Sequence, residues 1–299
     1  MPTDNTNSAN SRPEFIDWAS VELPDTWPDR YRLYNPLHLY RMLRAVLGRR
    51  QKIQIPHNLP GRNLIPKYAL QEFHNLPNGN YSKKLSNGYI KGFEIVMLGC
   101  MTKYRNIIAG SLDNCKSVLD IGCGGGTTAD IIQQKGIDDV WALDPCPYLL
   151  KQAATRYPKI NFIQGTGENI PFPDSRFEGV SLCYVLHEIP PKYVEKIITE
   201  VKRILKPGGS FVIVEPSPIH YFGPYKKLFR CFGLKGLYFK LLAKNINEPF
   251  LESWHKTNLK SLLISNGFQV VQELSDVPSS LIHAKSSECG IRSNAARVH

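Results

Sequence analysis

An α/β fold with a doubly wound, mainly parallel sheet is predicted by three observations. Val118-Leu119-Asp120-Ile121 is an apolar run that flows into Gly122-Cys123-Gly124-Gly125-Gly126, the pattern of a buried strand entering a tight loop. A second apolar run, Val140 to Leu143, ends in Asp144, twenty residues beyond Gly124. Between the two, Thr127 to Lys135 has helical character, which places the loop's N–H groups at a helix N-terminus suited to a carboxylate or phosphate. An acid at the position of Asp144 in a doubly wound sheet is placed to grip ribose hydroxyls, so an adenosine-type cofactor is implied.

The elements follow in order. Residues 1–12 are rich in Asn, Ser and Thr and are expected to form a disordered tail. Asn35-Pro36 followed by Leu39, Tyr40, Met42, Leu43, Val46 and Leu47, then Gly48, predicts a capped amphipathic helix. Its apolar stripe is expected to dock on the rest of the chain, with Arg41, Arg44, Arg49 and Arg50 on the other side. Pro56 to Gly61 is assigned to a linker, and Tyr89 to Ile108 to one helix running into the core. Residues 13–111 together make a helical cap. The α/β domain spans 112–299. Within it, Phe177 to Tyr184 is a fourth strand, and Pro190 to Leu205 a helix. Lys206-Pro207-Gly208-Gly209 is a turn into a fifth strand, Phe211 to Glu215. Residues 220–250 form a helical insertion. A helix near Leu259 to Asn266, stopped by Gly267, precedes a sixth strand from Phe268 to Leu274.

The glycine spacing separates two cofactor classes. A dinucleotide fingerprint needs glycines at the first, third and sixth positions, but the sixth position from Gly122 is Thr127. Asp120 would also repel a pyrophosphate, whereas an acid can help to hold the ammonium of a methionine moiety. The series Asp120-x-Gly122-x-Gly124-x-Gly126 resembles the first motif of class I S-adenosylmethionine-dependent methyltransferases. Asn161 to Asp174 resembles that family's third-strand and adenine-loop segment. Glu200-Val201-Lys202-Arg203-Ile204-Leu205-Lys206-Pro207-Gly208-Gly209 is typical of its small-molecule branch, which includes quinone methyltransferases (type 11). The resemblance is strong over 117–215 and looser over 247–285. It implies a Rossmann-like seven-stranded sheet whose last strand, near Leu281 to Lys285, is antiparallel. It also implies S-adenosyl-L-methionine as cofactor, held by Asp120, Gly122, Cys123, Gly124, Asp144, Pro145, Thr166, Gly167, Glu168 and Cys183. Thr166 stands near the place of the family's usual aspartate.

Charge and cysteine usage bound the setting. The 299 residues carry a net charge of +11, but 112–216 is nearly neutral, with eleven basic and thirteen acidic residues. Lys226, Lys227, Arg230, Lys235, Lys240 and Lys244 crowd the 220–247 stretch, which contains no acid. Such a segment suits an anionic acceptor or a peripheral membrane contact, and no RNA-binding module accompanies it, so nucleic acid is not expected. Seven scattered cysteines point to reduced thiols in a cytoplasmic protein rather than to zinc or disulfides. Cys123 is expected to be a small packing residue. The oligomeric state is left open.

The chemistry asks mainly for alignment, which can supply on the order of 7–11 kcal/mol of a transfer barrier. His187, just past the fourth strand, either removes a proton from the acceptor or borders the cofactor without proton transfer. His74 and His255 are weaker candidates from flanking segments. Tyr81, Tyr89, Phe222, Tyr225 and His255 are expected to line an acceptor pocket roofed by the cap and the insertion. The absence of an Asn/Asp-Pro-Pro-aromatic run after the fourth strand disfavours transfer to a base nitrogen. No His–Asp metal set and no Gly-x-x-x-x-Gly-Lys phosphate loop occur. Methyl transfer to a small hydrophobic or aromatic metabolite is the leading reading. A cofactor-binding scaffold that methylates nothing is the alternative.

Overall fold

A computed structural model describes residues 16–32 and 34–287 of the chain. The expected disordered tail, 1–12, lies outside the described residues, as does Cys289. One seven-stranded sheet organises the rest, with strands β1 (Ser117–Ile121), β2 (Asp139–Asp144), β3 (Asn161–Gln164), β4 (Phe177–Cys183), β5 (Leu205–Pro216), β6 (Phe268–Ser275) and β7 (Ser279–Ser286). Their order is β3-β2-β1-β4-β5-β7-β6. Strands β1 to β5 pair in parallel, and β7 runs antiparallel to both β5 and β6, as expected for the last strand.

Alternation along the strands sorts side chains onto two cores. Val118, Val140, Ala142, Val212 and Val214 join one cluster; Leu119, Ile121, Leu143, Phe211 and Ile213 join the other. The first face is covered by α3 (Cys100–Ser111), α4 (Thr127–Gln133) and α5 (Pro147–Arg156), whose Met101, Ile108, Ile132 and Leu150 are buried. The second is covered by α6 (Pro191–Ile204) and α10 (Leu259–Ser265), through Ile197, Ile198, Val201 and Leu263. Helices on both faces explain why β1 is buried along its whole length and reads as an unbroken apolar run. The strand order reverses between β1 and β4, so their outgoing loops part and open a crevice at the carboxyl edge.

Several boundaries differ from expectation for local reasons. The stretch 89–108 is two helices, α2 (Lys83–Val96) and α3, broken where Leu98 and Gly99 take positive φ of 51° and 71°. Ser82 caps α2 by accepting from the Leu85 N–H at 3.2 Å, which starts that helix six residues early. β5 begins at Leu205, ahead of the glycine turn, because Leu205 pairs with Phe177 before the ladder shifts register to Gly179–Ser210. The segment 56–61 is packed rather than a free linker: Leu59 is buried, and the Gly61 carbonyl accepts from Gln164 Nε2 at 2.8 Å.

The cap's first helix, α1 (Pro36–Leu47), is capped by Asn35 as expected, with Oδ1 accepting from the Leu37 and His38 N–H groups at 3.0 and 3.3 Å. Its stripe does not dock. Leu37, Leu39, Tyr40, Leu43 and Leu47 are exposed, and Ala45 is its one buried residue. The insertion contains α7 (Pro218–Phe222) and α8 (Tyr225–Asn245), followed by α9 (Leu251–His255). Among the described residues no helix is long and apolar enough to cross a membrane.

Two glycines test this account of the backbone. Gly126 caps α4 at φ 80°, and an added Cβ would stand 3.0 Å from the Phe162 ring and 3.1 Å from Ala153. Gly110 lies inside α3 with open space at its Cβ. Gly110→Ala is expected to stabilise the protein by roughly 0.5–1 kcal/mol and Gly126→Ala to destabilise it by about 1–3 kcal/mol, measured by urea denaturation.

Candidate functional site

Two adjoining cavities occupy the carboxyl edge of the sheet. The first, the loop cavity, is bounded by Gly122 to Gly125 from the β1 turn, Asp144 to Cys146 from the end of β2, Gly165 to Gly167 after β3, and Cys183 to Val185 after β4. The glycines are there for backbone and for space. Gly122 and Gly124 have φ of 68° and 52°, and Val185 Cγ2 would lie 2.5 Å from a Cβ on Gly122. A Cβ at Gly124 would meet nothing within 4 Å, so bare backbone faces the cavity there. Asp144 sets the loop: Oδ2 accepts from the Gly124 N–H at 2.9 Å and Oδ1 from the Cys146 N–H at 2.8 Å, just ahead of α5. Burial pushes its pKa up to about 6, against the lowering effect of those two N–H groups.

The second, the side cavity, has a volume of about 420 Å³. Apolar side chains of the cap and the insertion make most of its wall, among them Leu76, Val96, Met97, Phe239 and Leu242. His74, His220, Glu188, Glu248, Asn75 and Asn245 are among its polar groups. Tyr89, Phe93, Tyr184 and Glu188 line both cavities. Two strained backbones frame this junction, His74 at φ 56° and Tyr184 at φ 62°. The His74 N–H donates to the Asn247 carbonyl at 3.1 Å, Asn247 Nδ2 to the Glu72 carbonyl at 2.7 Å, and Asn75 Nδ2 to the Asn245 carbonyl at 3.0 Å, tying cap to insertion.

A buried chain of acids and imidazoles runs beneath the junction. Glu215, at the end of β5, accepts from the Val185 and Leu186 N–H groups at 2.9 and 2.7 Å and lies 2.6 Å from His187 Nδ1. His187 Nε2 is 3.7 Å from Glu248. Burial opposes charge on His187, but Glu248 and Glu215 outweigh it and raise its pKa well above the ordinary value. His187 is 1% exposed and is not part of either cavity wall. His74 does stand in the side cavity. Its Nε2 is 3.1 Å from Glu188 and 3.5 Å from Glu248, its ring stacks on Tyr89, and its Nδ1 is buried without a hydrogen-bond partner. Desolvation works against its charge, yet Glu188 and Glu248 together raise its pKa.

Comparison with known proteins assigns the family. Residues 119–213 match the family model described as a methyltransferase domain. An uncharacterised methyltransferase of Synechocystis sp. is 33% identical over 163 residues, covering 53% of this chain and 69% of that protein. The chain belongs to the class I S-adenosylmethionine-dependent methyltransferases, type 11 branch. A demethylmenaquinone methyltransferase of Renibacterium salmoninarum is 30% identical over 147 residues, 48% of this chain and 60% of that protein. A solved putative S-adenosylmethionine-dependent methyltransferase of Listeria monocytogenes is 21% identical, covering 59% of this chain and 93% of that one with a TM-score of 0.45. The matched domain ends before the insertion and begins after the cap, the two segments that form most of the side cavity.

The expected site residues of this methyltransferase divide into three groups. Gly122, Cys123, Gly124, Asp144, Pro145, Thr166, Gly167 and Cys183 border the loop cavity, as do Tyr81 and Tyr89. Asp120 and Glu168 lie behind its wall, 2% and 8% exposed. Asp120 Oδ1 accepts from the Ser181 hydroxyl at 2.7 Å, and Oδ2 is buried without a hydrogen-bond partner. Phe222, Tyr225 and His255 border neither cavity. Phe222 and Tyr225 are about half exposed, 56% and 46%, and His255 packs between Tyr221 and Phe222 beside a separate depression. The insertion turns His220 and its later residues, from Phe239 on, toward the side cavity instead.

Sequence reasoning missed Arg105, Tyr68 and Glu248. Arg105 is the one Lys or Arg on the wall of the loop cavity and pairs with Glu94 at 2.7 Å. Each owes its place to long-range packing, and no local pattern marks it. Arg105 gives the loop cavity a cation for a carboxylate, and the open Gly124 backbone and Asp144 give it acceptors for an ammonium and hydroxyls. This donor set fits an amino-acid nucleoside such as S-adenosylmethionine.

The buried Asp120 carries a testable cost. Desolvation pushes its pKa up to about 7, despite the Ser181 hydrogen bond, from an ordinary value of 3.8. A carboxyl raised on folding favours the native state at low pH, and that contribution is lost as pH rises from about 4 through 7. Cofactor-free Asp120→Asn is therefore expected to match the parent's thermal stability near pH 4 and to exceed it at pH 8. At about 1.4 kcal/mol per pKa unit the gain is a few kcal/mol at most. Melting temperatures across that range check it; a constant offset would contradict it.

Proposed function

We propose that this methyltransferase transfers a methyl group from S-adenosylmethionine in the loop cavity to a small apolar or aromatic acceptor in the side cavity. The shared wall of Tyr89, Phe93, Tyr184 and Glu188 carries this reading, because it brings two differently built sites into contact. When bound, the cofactor supplies a methyl group already activated by a sulfonium. The Gly122 to Gly125 backbone, Asp144, Thr166, Gly167 and Cys183 would hold it, and Arg105 would supply a cation for a carboxylate. Demethylmenaquinone, named for several of the relatives, has the aromatic character that the apolar side cavity suits. The scattered, reduced thiols support a cytoplasmic setting.

The protein's part is alignment, water exclusion and one proton. Tyr89 and Phe93 shield the junction. His74, rather than His187, takes the acceptor's proton: His187 borders neither cavity, while His74 stands in the wall of the side cavity with Nδ1 free and Nε2 held by Glu188. Glu188 orients the imidazole and offsets the charge it gains. His74→Gln is expected to lower kcat by about 10²–10⁴-fold while leaving cofactor affinity within a few-fold. Only neutral His74 accepts a proton, and its pKa is raised, so kcat/KM is expected to climb with pH through a limb above pH 6.5. Glu188→Gln removes the nearest anion and moves that limb to lower pH; an unmoved limb would sink the assignment.

The cofactor reading has its own measurement. Asp144→Ala is expected to weaken S-adenosylmethionine binding by about 2–3 kcal/mol, the scale of hydrogen bonds to a charged group, as read by calorimetry. Incubating the full chain with labelled donor and a panel of hydroxylated aromatic and small polar acceptors then tests transfer itself. Labelled product confined to polar acceptors would overturn the acceptor class.

A further inference from the structure

The insertion has a shape that the transfer reaction leaves unexplained. α8 bends at Gly233 (φ 61°, ψ −147°) and folds back on itself. A straight helix would set residues 225 and 240 about 22 Å apart. Here Lys240 and Lys244 approach the Tyr225 ring to 5.0 and 5.5 Å, and Gly236 packs on the Leu228 backbone. The hairpin's tip exposes Phe229 and Leu234, 55% and 76% accessible, beside exposed Arg230 and Lys235. One turn below Leu234, the Tyr238 hydroxyl donates to the Val96 carbonyl at 2.8 Å. The end of α2 adds exposed Ile95, Val96 and Leu98 to the same side. Val96 and Leu242 also line the side cavity, so this surface runs to the cavity's edge.

We infer that the α8 tip and the end of α2 seat the enzyme on an anionic lipid surface, from which an apolar acceptor enters the side cavity. Charge complementarity selects this occupant, since the 217–247 stretch has no acid and five exposed basic residues, Lys226, Lys227, Arg230, Lys235 and Lys244, the sixth, Lys240, being buried. Aromatic and aliphatic side chains among cations suit the headgroup–acyl boundary; an exposed leucine at the tip contributes nothing to nucleic-acid phosphates. The inference rests on the proposed apolar acceptor class, but lipid binding is read without methyl transfer.

The test is cosedimentation of the full chain with phosphatidylcholine vesicles, with and without phosphatidylglycerol. The parent is expected to bind the anionic vesicles at low salt and to leave them as salt rises. Phe229→Glu with Leu234→Glu is expected to cut partitioning by about tenfold or more, and Arg230→Glu with Lys235→Glu to abolish the anionic preference. Both pairs are expected to keep the parent's calorimetric affinity for S-adenosylmethionine, which verifies the fold. Leu43→Glu with Leu47→Glu, on the exposed stripe of α1, is expected to change partitioning less than about twofold. A parent that ignores anionic vesicles, tip variants that bind like the parent, or loss of binding through the α1 pair would each overturn the proposal. So would tip variants that instead convert a dimer to a monomer in light scattering while vesicle binding persists.

Discussion

The site depends on what the Glu215 carboxylate holds. It receives three backbone N–H groups and one imidazole from the turn after β4, and so fixes that turn against the end of β5. Val185, in the same turn, packs where a side chain on Gly122 would be, which sets the height of the glycine loop. Glu188, three residues on, is thereby aimed at His74. Four bonds to one buried carboxylate thus place one wall of the loop cavity and the polar corner of the side cavity. An acid buried this deeply needs a counter-charge. His187 supplies it between Glu215 and Glu248, which is why the imidazole closest in sequence to the reaction centre is spent on structure.

The two parts of the molecule solve different problems. The sheet and its loops present backbone amides and a carboxylate, and α3 a cation, to a polar ligand of fixed shape. The cap and insertion, joined by hydrogen bonds between 72–75 and 245–247, build a mostly apolar chamber with a few buried ionisable groups. That tie makes the roof one unit drawn from distant stretches of chain. Moving either stretch outward breaks bonds to the other, so access to the chamber is a joint property of both.

Legibility in the sequence followed locality. β1, its glycine loop and β2 were readable because burial on both faces demands unbroken apolar runs and because positive φ demands glycine, both local facts. The seven-stranded, mainly parallel sheet with its antiparallel last strand and the helix stopped by Gly267 followed from the same patterns together with the family resemblance. The roles of His187 and His74 were not readable, since they turn on carboxylates brought in from other elements. Phe222 and Tyr225 misled because both stand ahead of the Gly233 bend, at the end of α7 and the start of α8, whereas most insertion residues that reach the side cavity lie beyond that bend. The α1 stripe shows that periodicity reports an apolar face without naming what the face meets.

Three cysteines, Cys123, Cys146 and Cys183, line the loop cavity. Burial raises all three thiol pKa values, that of Cys183 to about 12, with nearby Asp144 or Asp120 adding to the effect. A thiolate is the reactive form of cysteine, and a sulfonium is an alkylating agent toward any thiolate it meets. The dry walls that shape the cavity therefore also keep its sulfurs protonated and unreactive. A pocket of this composition can store an electrophile without consuming itself, a self-protection that arises from the same desolvation that makes the pocket.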